Sequence, residues 1–87
     1  MGSVVSKFIM IDKENIKFEV SFKIEGDFTG DNLKKLNFKM KNFMLLIEGY
    51  RYMDGILTVY GNSPIGLEDT WDNLNNMLSF VISIIAE

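Results

Sequence analysis

The sequence predicts an α+β fold, in which a four-stranded, mainly antiparallel sheet runs as a meander and a C-terminal helix packs on one face. Three features support this prediction. Residues 16–25 alternate strictly between apolar and polar, an Asp-Gly pair separates two further apolar runs, and residues 67–85 repeat apolar side chains at helical spacing. A chain of 87 residues has the size of one domain, so we assign 1–87 to a single domain.

The first two strands are expected to form an antiparallel hairpin. The run from Val4 to Ile11 is apolar and rich in β-branched residues, which favours a strand. The alternation at 16–25 gives the second strand one face for the core and one for water. The polar residues 12–15 between these strands have the length of a hairpin connection.

The segment after the second strand is predicted to leave the sheet for a short distance. Glycines and short polar residues at 26–32 favour turns. Asp31 can cap one helical turn that ends at Leu36. From Asn37 onward we expect the chain to be extended again, because charged and apolar residues alternate there.

The last two strands are predicted to form a second hairpin around Asp54-Gly55, a pair that suits a two-residue type I′ turn. This turn sets a register that places two tyrosines opposite two aliphatic residues on the core side: Tyr50 opposite Val59 and Tyr52 opposite Leu57. Upstream of these pairs the strand is apolar on both faces. A bulge at Glu48-Gly49 would exchange the faces, and the alternative is that a second copy covers the other side.

The final segment is predicted to be a helix because its apolar residues recur at spacings of three and four. This stripe consists of Leu67, Trp71, Leu74, Leu78, Val81 and Ile85. The last turns are apolar nearly all round, so they need a second cover, which is either the loop at 26–36 or another subunit. We expect a homodimer, with an interface formed by Phe43, Leu45, Met77, Phe80 and Ile84.

The chain contains neither histidine nor cysteine. This composition excludes disulfides, imidazole and thiolate catalysis, and zinc sites of the ordinary type. We therefore expect a protein that is not an enzyme and has no catalytic residues, cofactor or metal site. The longest nearly apolar stretch, 77–86, is about half the length of a membrane-spanning helix, and we expect a cytoplasmic protein.

Charge is distributed unevenly along the chain. All nine basic residues lie in 1–51, whereas 52–87 carries five acidic residues and no base. An acidic surface favours association with a basic protein. We therefore predict a non-catalytic protein-binding module, such as a small acidic inhibitor, an immunity protein or a bacterial or phage accessory protein. The residues expected to bind the partner are Glu68, Asp69, Asp72, Tyr50 and Tyr52.

A basic segment supports an alternative function, the binding of nucleic acid. Its four lysines surround one phenylalanine, Phe38, and are Lys34, Lys35, Lys39 and Lys41. Lysines can bind a phosphate backbone while an aromatic ring stacks on a base. Because the alternation predicts a solvated strand face here, and because the chain is acidic overall, we favour the protein-binding function.

One short motif resembles a known family. Residues 68–74, with the sequence Glu-Asp-Thr-Trp-Asp-Asn-Leu, are similar to the acidic Trp-Asp-x-Leu helix of barstar-type ribonuclease inhibitors. The resemblance covers seven residues, and the predicted order of strands and helix differs from that family's parallel α/β order. It illustrates how a small acidic protein can inhibit by presenting carboxylates, and neither fold nor binding residues are carried over.

Overall fold

The computed structural model describes residues 2–12, 15–64 and 66–87, and it confirms the α+β fold. A four-stranded antiparallel sheet is covered on one face by the C-terminal helix and by a second helix. A short 3-10 turn, Lys41–Phe43, follows the first helix. The elements in chain order are β1 (Ser3–Asp12), β2 (Asn15–Lys23), α1 (Gly30–Met40), β3 (Leu46–Met53), β4 (Ile56–Ser63) and α2 (Leu67–Ile85).

The strands lie in the order β1-β2-β4-β3. In a strict meander β3 would lie beside β2, whereas here β4 lies between them and pairs antiparallel with both. β2 and β3 consequently run parallel to each other. Parallel strands need a long crossover connection, usually a helix, and α1 supplies it.

The prediction of a single helical turn followed by extended chain is therefore wrong for 30–43. Helix α1 begins after Thr29, whose hydroxyl accepts a hydrogen bond from the Asn32 backbone N–H at 3.3 Å, so Thr29 rather than Asp31 is the cap. The face of α1 and the following turn that packs inward carries apolar residues at spacings of three, four and three: Leu33, Leu36, Met40 and Phe43. This helical repeat was present in the sequence.

Both predicted hairpins are confirmed. Strand β1 pairs antiparallel with β2, and β3 with β4. Asp54 and Gly55 have φ values of 53° and 78°, as a type I′ turn requires, and the two tyrosine pairs have the expected register. The bulge is also present: Ile47 pairs with Gly61 and Gly49 with Tyr60, which leaves Glu48 as the extra residue.

Helix α2 packs beside α1 and antiparallel to it. The Asn73 side chain donates to the Phe43 carbonyl at 3.3 Å near one end, and Lys35 pairs with Glu87 at 3.0 Å near the other. Over residues 68–85 of α2, the buried positions are Thr70, Leu74, Met77, Val81 and Ile84. The buried stripe is rotated from the predicted one, which leaves Trp71 exposed, because α1 covers the flank of α2 that a sheet alone would leave open.

This arrangement corrects the predicted dimer interface. Leu45, Met77 and Ile84 are buried in the core of the single chain, so they cannot form a surface between copies in this fold. Phe43 and Phe80 are half-buried and pack against each other, with ring centroids 5.5 Å apart. The second cover for α2 is α1, which overlaps the segment 26–36. Of the two covers considered from the sequence, this segment was the less favoured, and another subunit was the more favoured.

We expect Gly61→Ala to destabilise the fold strongly. A Cβ at this position would lie 1.9 Å from the Leu46 carbonyl oxygen, a backbone atom of the paired strand that cannot move aside. The free energy of unfolding, measured with urea, should fall by about 1–3 kcal/mol or more. Gly30→Ala is the matched control, since no atom lies within 4 Å of its added Cβ, and it should leave stability equal or slightly higher. A Gly61→Ala protein as stable as the parent would contradict the β3-β4 register.

Met77→Ala tests whether Met77, which the sequence placed in a dimer interface, is buried within a single chain. Because Met77 is fully buried within one chain, its truncation should cost about 2–5 kcal/mol of unfolding free energy at every protein concentration. The control Met53→Ala removes the same atoms from an exposed site and should change stability by less than about 0.5 kcal/mol. A Met77→Ala effect that varied with protein concentration would instead place this side chain between subunits.

Candidate functional site

The face of the sheet opposite the helices is open to solvent. The side chains on this open face follow from the register, because residues that neighbour the buried ones along each strand point to the other side. Four large apolar side chains lie there with exposed fractions between 48% and 69%: Phe8, Met10, Leu46 and Met53. We call this surface the open sheet face.

The centre of the open sheet face is polar. Arg51 forms an ion pair with Glu19 at 2.9 Å, and its guanidinium lies 5.6 Å from the centroid of the Tyr60 ring. The hydroxyls of Ser21 and Thr58 are hydrogen bonded at 2.8 Å. The Asn62 amide donates to the Glu48 carboxylate. An exposed ion pair adds little stability. These contacts therefore mainly fix the orientation of the polar groups that lie between the exposed apolar side chains of the two edge strands.

A shallow hollow lies at the β1 side of the open sheet face. It has a volume of about 200 Å³ and is lined by Phe8, Met10, Lys17, Phe18 and Glu19. Two of its walls are the exposed apolar side chains of β1, so one side chain of a partner could enter it. This hollow is not among the sites predicted from the sequence. The available signal was that 8–11 is apolar at every position, which gives β1 an apolar residue on both faces.

Strand β1 is an edge of the sheet, and its Lys7 points to the helix side. The Lys7 ammonium donates to the Asn75 side-chain oxygen at 2.6 Å and lies 3.9 Å from the centroid of the Trp71 ring. A cation over an indole face is favourable. An inward-pointing charge on an edge strand also opposes unspecific pairing with other strands. This contact explains how Trp71 contributes to the fold although it lies outside the buried stripe.

The predicted partner-binding residues fall into two groups that the structure does not bring together. Glu68, Asp69 and Asp72 are exposed in the first turns of α2. Tyr52 donates its hydroxyl to the Gly26 carbonyl, and Gly26 lies against Ile85 near the other end of α2. Position 85 follows position 72 by thirteen residues, which corresponds to a rise of about 20 Å along a helix.

The two tyrosines therefore have structural contacts and are not grouped with the three carboxylates of α2. Tyr50 packs edge-on against Phe28, with ring centroids 5.5 Å apart and an interplanar angle of 67°. Tyr50 and Tyr52 are both half-buried against the core. Their side of β3 faces the helices, whereas Met53 and Leu46 on the same strand face the open side.

The four predicted lysines are brought together, but on a helix. Lys34, Lys35 and Lys39 belong to α1, and Lys41 begins the 3-10 turn after it. Their interpretation as a solvated strand face is therefore wrong. Phe38 lies among them and is 74% exposed.

Over 2–12, 15–64 and 66–87, no group of three or more acidic residues is arranged to hold a metal ion. No helix in that part of the chain is both long and apolar enough to cross a membrane.

The chain was also compared with known proteins. No family model, no curated protein and no solved structure matches it.

Proposed function

We propose that this protein is a non-catalytic protein-binding module that contacts its partner through the open sheet face. The observation that carries the proposal is the set of four exposed apolar side chains on a face that the two helices leave uncovered. Large apolar side chains exposed on one surface are a feature of protein interaction sites.

The shape of the surface supports a macromolecular partner. Eight-residue strands are about 26 Å long, and four strands side by side span about 14–19 Å, which gives an area of roughly 400–500 Å² before side chains are counted. The hollow beside Phe8, at about 200 Å³, is smaller than the usual small-molecule site of about 300–1,000 Å³. A broad face with one shallow hollow suits a protein that inserts a single anchoring side chain.

The chemistry of the partner is proposed from charge. The net charge is −3, and Glu68, Asp69 and Asp72 are exposed on a helix that has no basic residue. A basic partner would be attracted by these carboxylates during approach, although they lie on the helical side and not on the contact face. An inhibitor, immunity or bacterial or phage accessory protein acting in the cytoplasm fits this proposal.

A photo-reactive amino acid at position 8 tests the proposal in cells that encode the chain. We expect a cross-link to one other protein, because Phe8 borders the hollow. The double variant F8S/M10S should lower the affinity for that protein by at least about tenfold, because it removes the two exposed apolar side chains that line the hollow. Phe38→Ser removes a phenylalanine that is even more exposed, from the helical side, and should leave this affinity unchanged.

Two outcomes would overturn the proposal. A cross-link only to another copy of the chain, with sedimentation showing a dimer that F8S/M10S dissociates, would assign the open sheet face to self-association. Equal losses of affinity in F8S/M10S and Phe38→Ser would place the contact elsewhere. Circular dichroism of each variant would exclude unfolding as the cause.

The basic-partner proposal has a separate kinetic test with the cross-linked protein. The double variant E68K/D72K should lower the association rate constant by about tenfold at low salt and leave the dissociation rate constant nearly unchanged, because the carboxylates act during approach. Asp27→Lys is the control, since Asp27 is exposed near the opposite end of α2. An association rate that was insensitive to E68K/D72K and to salt would show that the partner is not selected by these charges.

A further inference from the structure

The geometry points to a second binding site, on α1, for single-stranded nucleic acid. The site consists of Phe38 and the four lysines around it, Lys34, Lys35, Lys39 and Lys41. We call it the α1 lysine face. It lies on the helical side of the molecule, so it is separate from the open sheet face and does not depend on the proposed function.

Helical geometry places the lysines around the ring. Residues three or four positions apart are neighbours on a helix surface. Lys34 precedes Phe38 by four positions and Lys35 by three, while Lys41 follows it by three. The opposite side of the helix is anchored in the core by Leu36 and Met40, both fully buried. Phe38 therefore stands at the centre of the solvent-facing side, with ammonium groups on both flanks.

Packing within the fold does not account for the presence of a phenylalanine at the exposed position 38. Its side chain is 74% exposed, the highest fraction among the large apolar residues described. By contrast, Phe28, Phe43 and Phe80 are buried or half-buried, and the last two pack against each other. An exposed aromatic ring surrounded by cations is the arrangement on which unpaired bases stack while lysines contact the phosphates.

The lysines differ in how they are held. The Lys39 ammonium lies 6.0 Å from the centroid of the Phe80 ring, and Lys35 is paired with Glu87 at 3.0 Å. Lys34 and Lys41 form no ion pair with the part of the chain that the structure describes. These two ammonium groups are therefore available for phosphates, and a phosphate at Lys35 would have to compete with the Glu87 carboxylate.

The surface between these groups has room for a nucleotide. An open hollow of about 600 Å³ is lined by Lys34, Lys35, Phe38, Lys39, Asn42 and Glu87. This volume lies within the range of known ligand sites, about 300–1,000 Å³. The Asn42 amide at its rim can both donate and accept hydrogen bonds, as the edge of a base requires. Single strands fit better than duplexes, because only an unpaired base can lie flat on the Phe38 ring.

The test measures binding of a fluorescent thymidine oligonucleotide by anisotropy over a range of salt. We expect affinity in the micromolar range that falls with salt, with a slope of about −2 to −3 in a double-logarithmic plot for three to four phosphate contacts. Lys34→Gln and Lys41→Gln should each reduce the slope by about 0.7. Glu87→Gln should raise the affinity, because it frees Lys35 and removes a negative charge from the rim.

Phe38→Ala separates base stacking from charge. It should weaken binding of the thymidine strand by about 5- to 100-fold, yet have no effect on an abasic strand of equal length, which carries the same phosphates without bases. Alanine is a good helix former at an exposed helical position, so the variant should fold. Phe8→Ser is the matched control on the open sheet face and should bind the oligonucleotide like the parent.

Three outcomes would overturn this inference. They are no salt-dependent binding of the thymidine strand, an equal effect of Phe38→Ala on normal and abasic strands, and tighter binding of a poly-glutamate peptide than of the oligonucleotide. The last outcome would assign the α1 lysine face to an acidic protein. Loss of protein partner binding in F8S/M10S with intact oligonucleotide binding would leave this inference standing, so the two proposals fail separately.

Discussion

The position of β4 between β2 and β3 is the constraint on which the rest of the structure depends. It makes β2 and β3 parallel, and a parallel pair cannot be joined by a tight turn. The chain between them must cross over the sheet, and in doing so it forms α1 on the face that α2 also covers. Both surfaces proposed for binding result from this crossover, because it places α1 on one side and leaves the other side of the sheet bare.

The parts of the fold that could be predicted are those with local signals. Asp54-Gly55 specified its turn and therefore the pairing of Tyr52 with Leu57, and Gly49 favoured the bulge over a covering second copy. The crossover could not be predicted in the same way, because 34–43 carries two patterns at once. Lys39, Met40 and Lys41 alternate like a strand, whereas Leu33, Leu36 and Met40 repeat like a helix. The parallel relation of β2 and β3, a tertiary property, decides between them.

The candidate sites show the same limit. Which residues are charged was evident from the sequence, but their grouping depends on where the elements pack. Tyr52 of β3 lies near the C-terminal end of α2, whereas the carboxylates lie near its N-terminal end. This separation is determined only by the register of the strands and the direction in which α2 packs. The open sheet face could not be predicted from the sequence for a related reason. An apolar residue such as Phe8 becomes a surface feature only once both helices lie on the other side.

A net charge of −3 does not exclude an anionic ligand, because salt screening limits the distance over which charges act. The Debye length in physiological salt is about 8 Å, and the smallest principal extent of the Cα atoms is 18 Å. A ligand on the α1 lysine face therefore responds to the nearby lysines and Glu87 more than to charges across the molecule. Total charge governs long-range properties, such as solubility and the approach of a charged partner. Recognition depends on the charge within one screening length, so an acidic chain can present a basic site.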